Sequence, residues 1–110
     1  MTPAPVVFSK EQEIEAIWGV EHDRSRQRLL AAAFVKRFTR LAGNPTTIYS
    51  VPENAGTPTP WITLDATRAD PHGATPDWSK DFDVIPSVGK EGLGDVDIAE
   101  DGKTVYTIDL

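Results

Sequence analysis

The sequence predicts an all-β fold built from short strands and frequent turns. Nine prolines and eight glycines among 110 residues favour turns over long helices. Apolar and polar residues alternate in several short segments, with the two-residue period of a half-buried strand. In residues 92–110, an alternating strand, a turn and a second strand follow one another, which is typical of a β-hairpin.

The hairpin in 92–110 is the best-defined element. Val96 and Ile98 alternate with aspartates, and residues 100–102 supply turn formers, with Gly102 able to adopt a positive φ. The second strand places three apolar residues on one face: Tyr106, Ile108 and Leu110. The chain stops inside this predicted strand, so we expect it to be a piece of a larger protein.

Four further strands are predicted between residues 14 and 64, as one antiparallel sheet. Their approximate bounds are 14–22, 28–35, 46–51 and 60–64. The second is an apolar run suited to a buried strand, and the third is rich in β-branched residues. The first strand would place three side chains on one face: Trp18, Val20 and His22.

Residues 26–41 also fit a helix. Their apolar residues Leu30, Phe34, Phe38 and Leu41 have helical spacing, and Gly43 follows as a stop. Ser9 with Gln12 resembles a capping box. A small α+β protein whose basic helix binds an anionic partner is therefore an alternative class.

An internal similarity favours the strand interpretation. Residues 18–23 and 28–30 share with 93–98 and 104–106 the order of a glycine, an alternating strand, a charged turn and an apolar strand. The two copies are about 76 residues apart. This offset is longer than the usual repeat of roughly 40–50 residues in stacked β units, and the excess matches the long segment 65–91.

Charge and composition exclude several functions. The net charge is −6, with six of eleven cationic residues in 24–40 and eleven of seventeen acids from residue 65 onward. Overall acidity argues against nucleic acid as the main partner. The absence of cysteine excludes disulfides and thiolate metal sites. No signal peptide or membrane-spanning stretch is visible in the sequence.

Three stretches together resemble a known family. They are I-W-G-V-E-H-D with L-L-A-A-A-F-V-K-R (17–23 and 29–37), D-W-S-K-D-F-D (77–83) and V-G-K-E-G-L-G-D-V-D-I-A-E-D-G-K-T-V-Y (88–106). This pattern is similar to the propeller-like head of bacterial surface proteins of the SdrD-like or Cna-type repeat family. Residues 38–44 depart from it, where a more glycine-rich loop is expected.

The resemblance implies a fragment of a β-propeller: about one four-stranded antiparallel blade plus the first hairpin of the next. The expected divisions are an N-terminal extension (1–13), a first blade (14–64), an inter-blade connection (65–91) and a truncated second blade (92–110). It further implies a non-enzymatic segment of a secreted or cell-surface protein, in binding or architecture. The implied partners are neighbouring blades of the parent chain and an unknown extracellular ligand.

A second class stays open, because A-E-D-G-K-T-V-Y (99–106) also resembles calcium-dependent propeller lactonases. Those hydrolases hold calcium with acids and an asparagine. Here Asn44 and Asn54 lie in loops, and Asp95 is the acid available on the inner strand. The sequence contains no serine–histidine–acid or P-loop pattern.

The candidate binding site joins two loops. In a propeller blade, the basic loop 36–45 and the acidic loop 65–91 would emerge on one rim, where binding residues collect. The candidate binding residues are Lys36, Arg37, Arg40, Asp77, Trp78, Asp81 and Asp95. We expect Lys36, Arg37 or Arg40 to form an ion pair with one of Asp70, Asp77, Asp81 and Asp83. The simpler alternative is that the loops only form solvated ion pairs.

No metal site or cofactor is predicted, calcium being the one ion considered. The spacing of the aspartates in 70–83 does not fit an EF-hand loop. His22 and His72, each with aspartates nearby, are considered as metal ligands, but His22 is expected to be a core or interface histidine rather than a ligand. Asp95 and Asp97 would lie near the axis of a closed propeller.

Overall fold

The computed structural model describes residues 9–54, 56–73 and 76–110, and most of its regular structure is β-strand. The elements are α1 (Glu11–Ile14), β1 (Ile17–Asp23), β2 (Arg28–Ala33), β3 (Thr47–Pro52), β4 (Thr59–Thr63), β5 (Leu93–Ile98) and β6 (Val105–Asp109). The all-β prediction is confirmed, because residues 26–41 form β2 and a loop rather than a helix. Residues 1–8 of the predicted N-terminal extension lie outside the described residues.

The first four strands form one antiparallel sheet in the order β1-β2-β3-β4. The central strands β2 and β3 carry most of its buried residues, whereas all five residues of β4 are exposed. Pro60 in β4 has no N–H to donate, which suits an edge strand. The four predicted strands are therefore confirmed, with ends shifted by up to three residues.

A bulge interrupts β1. Ile17 pairs with Ala33 and Val20 with Ala31, so that Trp18 and Gly19 both lie opposite a single residue. The ring of Trp18 lies against Phe34, with 5.4 Å between centroids. The prediction that Trp18 shares a face with Val20 and His22 is wrong, because it assumed uninterrupted alternation.

The strands β5 and β6 form the second hairpin. The amide of Gly102 donates to the carbonyl of Ala99 at 2.8 Å, and the φ of Gly102 is +70°. Glycine adopts this left-handed conformation without steric cost. The predicted hairpin and its turn are confirmed.

Both hairpins have the same pairing register. In the first, Ile17 pairs with Ala33, Val20 with Ala31 and His22 with Leu29. In the second, Leu93 pairs with Asp109, Val96 with Thr107 and Ile98 with Val105. Each residue in the second set follows its counterpart in the first by 76 positions, and both bulges fall at the same place.

The second hairpin packs on one face of the first sheet. This covered face carries Leu30, Ala32 and Ile48, and it meets Leu93 and Val96 of β5 in the main apolar core. The side of the second hairpin that carries Leu93, Val96, Ile98 and Val105 is here called its docked face. Burying a leucine or valine side chain stabilises a fold by about 1.5–3 kcal/mol.

The opposite side of the first sheet, with Val20, His22, Leu29 and Ala31, is here called its open face. A smaller apolar cluster lies on it, comprising Ala31, Ala33, Tyr49 and Val51 with flanking Ile14, Ile17, Leu29 and Leu41. Val20 is 48% exposed, and the His22 side chain is 45% exposed beside Glu53. The core alternative predicted for His22 is therefore wrong, because the second hairpin covers the other face, and the interface alternative stays a prediction.

The backbones of the two hairpins approach each other closely at Gly19. A Cβ atom at this position would lie 2.8 Å from the amide nitrogen of Val96 and 2.9 Å from the Cα of Asp95. Both atoms belong to backbone, which cannot move aside as a flexible side chain would. Only glycine lets β1 and β5 lie this close.

Candidate functional site

The loops 36–45 and 65–91 meet at one end of the first sheet. Arg37 donates from Nε and Nη2 to the carbonyl of Lys80, at 3.0 and 2.6 Å. The amide of Phe38 donates to Oδ2 of Asp81 at 2.6 Å. We call this contact region the rim junction; it comprises Lys36, Arg37, Phe38, Arg40, Asp70, His72, Trp78, Lys80 and Asp81.

His72 is the buried centre of the rim junction, with 1% of its surface exposed. Its Nδ1 lies 2.6 Å from Oδ1 of Asp70, and its Nε2 lies 2.9 Å from the carbonyl of Lys36. The amide of His72 also donates to Oδ1 of Asp70. Both ring nitrogens thus face oxygen atoms. The ring is enclosed and fully engaged, so its role is to fasten one loop to the other.

Asp81 is the second buried group of the rim junction. Its Oδ2 accepts from the Phe38 amide and lies 3.3 Å from Nε2 of His72. Its Oδ1 has no hydrogen-bond partner among the described residues. Phe38 and Asp81 both have positive φ angles, of 66° and 48°. Such strain persists only where the surroundings fix the backbone, and it is common at functional sites.

An aromatic ring with a cation above it lies at the outer side of the rim junction. The indole of Trp78 lies 5.2 Å from the His72 ring, and the guanidinium of Arg40 lies 5.4 Å from the Trp78 ring. The neighbouring cleft has a volume of about 460 Å³ and is lined by Arg40, Leu41, Asp70, His72, Gly73, Pro76 and Trp78. A cation over an aromatic ring offers both charge and an apolar surface to a ligand.

The expected ion pairs across the two loops are not formed among the described residues. Arg37 instead binds a backbone carbonyl, and Arg40 lies over an indole ring. Asp81 is engaged by Phe38 and His72. The loops therefore meet where the sequence predicted, but hydrogen bonds and aromatic contacts hold them together. The prediction of ion pairs is wrong, because backbone groups of the two loops bind side chains that were expected to pair through their charges.

Asp77 serves its own loop. Its Oδ1 accepts from the amide and the hydroxyl of Ser79, at 3.0 and 2.6 Å. These two bonds hold the pKa of Asp77 below its ordinary value. This arrangement is a local turn and leaves the carboxylate at the surface.

Two predicted binding residues, Lys36 and Asp95, do not have the roles that the sequence suggested. Lys36 contributes its backbone carbonyl, bound by His72, rather than its ammonium. Asp95 lies on β5 beside Gly19 and is separate from the rim junction. Sequence reasoning considered His72 only as a metal ligand and missed its role as the centre of the rim junction. The single signal was the spacing of Asp70 and His72, which is typical of an aspartate-capped turn.

A charged cluster joins the turns of the two hairpins. Asp23 is buried and accepts from Nε of Arg28 and the hydroxyl of Ser25, both at 3.0 Å. Arg26 donates to the carbonyl of Gly102 at 2.8 Å and lies 3.4 Å from Asp23. Burial acts to raise the pKa of Asp23, but its bonds and nearby cations prevail, so the pKa is lowered.

Within residues 9–54, 56–73 and 76–110, no three histidine or acidic side chains form a group that could hold a metal ion. In the same ranges, helices are too short and too polar to cross a membrane. Comparison of the chain with protein-family models, with curated proteins and with solved structures finds no match.

Proposed function

We propose that the chain is a non-enzymatic β-propeller segment of a secreted or cell-surface bacterial protein, acting in binding or architecture. The bacterial surface origin rests on the resemblance carried by 17–23, 29–37, 77–83 and 88–106. The observation that carries the propeller proposal is the shared register of the two hairpins, offset by 76 residues. Radial repetition of one β unit requires such a repeat.

The contact between the two sheets supports the same proposal. In a propeller, sheets surround a central channel, and the innermost strands of neighbouring sheets lie closest together. β1 is an edge strand of the first sheet, and its backbone approaches that of β5 at Gly19. β5 is also the strand of the second hairpin that meets β1 and β2 most extensively. β1 and β5 thus fit the positions of innermost strands in consecutive blades.

In this proposal the rim junction is the recognition surface. Long loops on a rigid sheet are where binding residues collect. Arg40 over Trp78 is the exposed part, and His72 with Asp81 is the buried fastening that holds the loops together. An extracellular ligand with an anionic and an apolar part would fit that pairing.

Limited proteolysis tests the rim junction. Replacement of Arg37 and Arg40 by alanine removes the bonds to Lys80 and the cation above Trp78. We expect unchanged β-sheet circular dichroism but faster cleavage within 65–91. Arg24→Ala, in an exposed turn, is the matched control and should leave cleavage unchanged. Equal cleavage of all three proteins would remove the reason to treat this junction as a site.

A calcium titration separates this proposal from the lactonase class. We expect that calcium produces no shift in melting temperature that depends on Asp95, as judged by comparing the wild type with Asp95→Ala. A calcium-dependent stabilisation of the wild type that is lost in this variant would contradict the non-enzymatic proposal.

A further inference from the structure

The second hairpin has an exposed apolar side, opposite its docked face. Tyr106 and Ile108 are 61% and 63% exposed there, and Asp97 pairs with Tyr106 on the same side. We call this side the free face. The counterparts of Tyr106 and Ile108, 76 positions earlier, are Leu30 and Ala32. Those two residues are completely buried, because the docked face of the second hairpin lies over them.

Residues of the open face of the first sheet likewise correspond to residues of the docked face, 76 positions later. Ile17, Val20, His22 and Leu29 correspond to Leu93, Val96, Ile98 and Val105. Val96 is 1% exposed in the main core, whereas its counterpart Val20 is 48% exposed. The open face therefore carries at Val20 and Leu29 the kind of apolar residue that the docked face buries against the first sheet.

Among the described residues, this type of contact is made once, and it is missing at the free face and at the part of the open face around Val20. Within the chain, a face of the open type (the docked face) covers a face of the free type (the covered face). The unmatched open face lies on one side of the molecule, and the unmatched free face lies on the other. We propose that a second copy of this chain supplies the match, by placing its open face on the free face of the first copy.

Charge supports this pairing of faces. Glu21 on the covered face and Ile98 on the docked face line one cleft within the chain. Their counterparts in the proposed contact are Asp97 of one copy and His22 of the other. An imidazole, which already contacts Glu53 within its own chain, would therefore take the place of an apolar side chain opposite a carboxylate. Complementary polar groups across a contact favour the correct partner and orientation.

The proposed contact is heterologous, because two different faces meet. Each added copy presents a new free face, so association continues into a ring or an open assembly rather than stopping at a dimer. This inference rests on the proposed repeat, since the correspondence of faces comes from the offset of 76 residues. For the chain by itself, a second copy takes the place of the neighbouring blades of a parent chain that the resemblance implies.

Sedimentation velocity of complementary variants tests the proposal. Val20→Glu breaks only the open face, and Tyr106→Glu with Ile108→Glu breaks only the free face. We expect concentration-dependent association of the wild type, and a monomer for each variant alone. An equimolar mixture of the two variants retains one intact open face and one intact free face, so it should form a dimer that grows no further.

Several results would overturn the proposal: a wild type that stays monomeric at high concentration, a variant that still associates alone, or a mixture that stays monomeric. Val20→Arg repeats the test with the opposite charge and should also give a monomer. The substituted side chains are exposed, and circular dichroism checks that each variant is folded. If the wild type is monomeric and calcium causes no melting shift that depends on Asp95, the proposed docking of a second copy is wrong, but the proposed function is not contradicted.

A substitution at Asp95 is expected to strengthen the association between copies rather than to weaken it. Asp95 occupies the position of Gly19 in the second hairpin, 76 residues later, where the first interface leaves no room for a Cβ atom. The contact with a second copy must therefore be more open at this point. Asp95→Gly should strengthen the association, whereas Asp95→Ala, which keeps the Cβ, should not. Equal association of both variants would contradict the proposed face pairing.

Discussion

The hairpins β1–β2 and β5–β6 share one pattern of backbone pairing and differ in what lies over them. Leu30 and Tyr106 occupy the same position in the two registers, yet one is completely buried and the other is 61% exposed. The difference arises from the docked face of the second hairpin, which covers the first sheet, whereas none of the described residues covers β6 in the same way. Whether a residue of these hairpins is buried therefore depends on what packs over its strand, and not on its position within the strand.

The largest expected effect comes from truncating the two matched apolar residues. Leu30→Ala should lower the free energy of unfolding by about 2–5 kcal/mol, because it leaves a cavity between the first sheet and the second hairpin. Tyr106→Ala should change it by less than about 1 kcal/mol, since little buried surface is lost. Denaturant unfolding at low protein concentration measures both. Equal losses would show that the two faces do not differ as described.

A smaller effect is expected where the backbones of the two hairpins approach each other closely. Gly19→Ala places a methyl group against the backbone of β5 and should cost about 1–3 kcal/mol through overpacking. The matched control is Asp95→Ala at the corresponding position, which should stay within about 0.5 kcal/mol of the wild type. Thermal melting of both variants checks the comparison. An unaffected Gly19→Ala would mean that the hairpins are not in contact there.

The turns of the hairpins differ in chemistry, which gives a pH-dependent prediction. The pKa of Asp23 is lowered in the fold, so its stabilising contribution is present above the unfolded pKa of about 4 and is lost as the pH falls through the folded value. The counterpart in the second hairpin is Ala99. Asp23→Asn should cost about 1–2 kcal/mol at neutral pH through its bonds to Arg28 and Ser25.

Unfolding curves at several pH values check this assignment. The stability difference between the wild type and Asp23→Asn should shrink as the pH falls below about 4, because the wild-type carboxyl then becomes protonated. Glu100→Gln, an exposed position in the second turn, is the control and should show no such trend. A difference that stays constant down to acidic pH would contradict the role given to Asp23.

The strands and the final hairpin could be predicted because their signals are local. Alternation between Val96 and Ile98, and a turn that ends at Gly102, need no knowledge of the rest of the chain. The internal similarity also predicted the approximate offset, but it matched Gly19 with Gly94, whereas the two registers match Gly19 with Asp95. The bulge at Trp18 and Gly19 could not be predicted. Two residues that lie opposite a single partner do not produce a recognisable pattern of apolar and polar residues.

The rim junction was predicted in place but not in detail. The topology of a propeller blade suggested that 36–45 and 65–91 lie on one rim, their opposite charges suggested ion pairs, and the loops do meet at Arg37 and Lys80. The partners are backbone carbonyls, amides and rings, whose availability depends on local turns. The burial of His72 also depends on contacts across 36 residues, and sequence periodicity carries no information at that range.

The most direct test of the account is a nuclear Overhauser measurement between β1 and β5. A Cβ on Gly19 would lie 2.9 Å from the Cα of Asp95, so the α protons of these two residues should give a strong cross-peak in the wild type. We expect this cross-peak to be present at low protein concentration, where it arises within one chain. If the chain is folded but this cross-peak is absent, the second hairpin does not dock on the first sheet. The proposed correspondence between the faces would then be wrong as well.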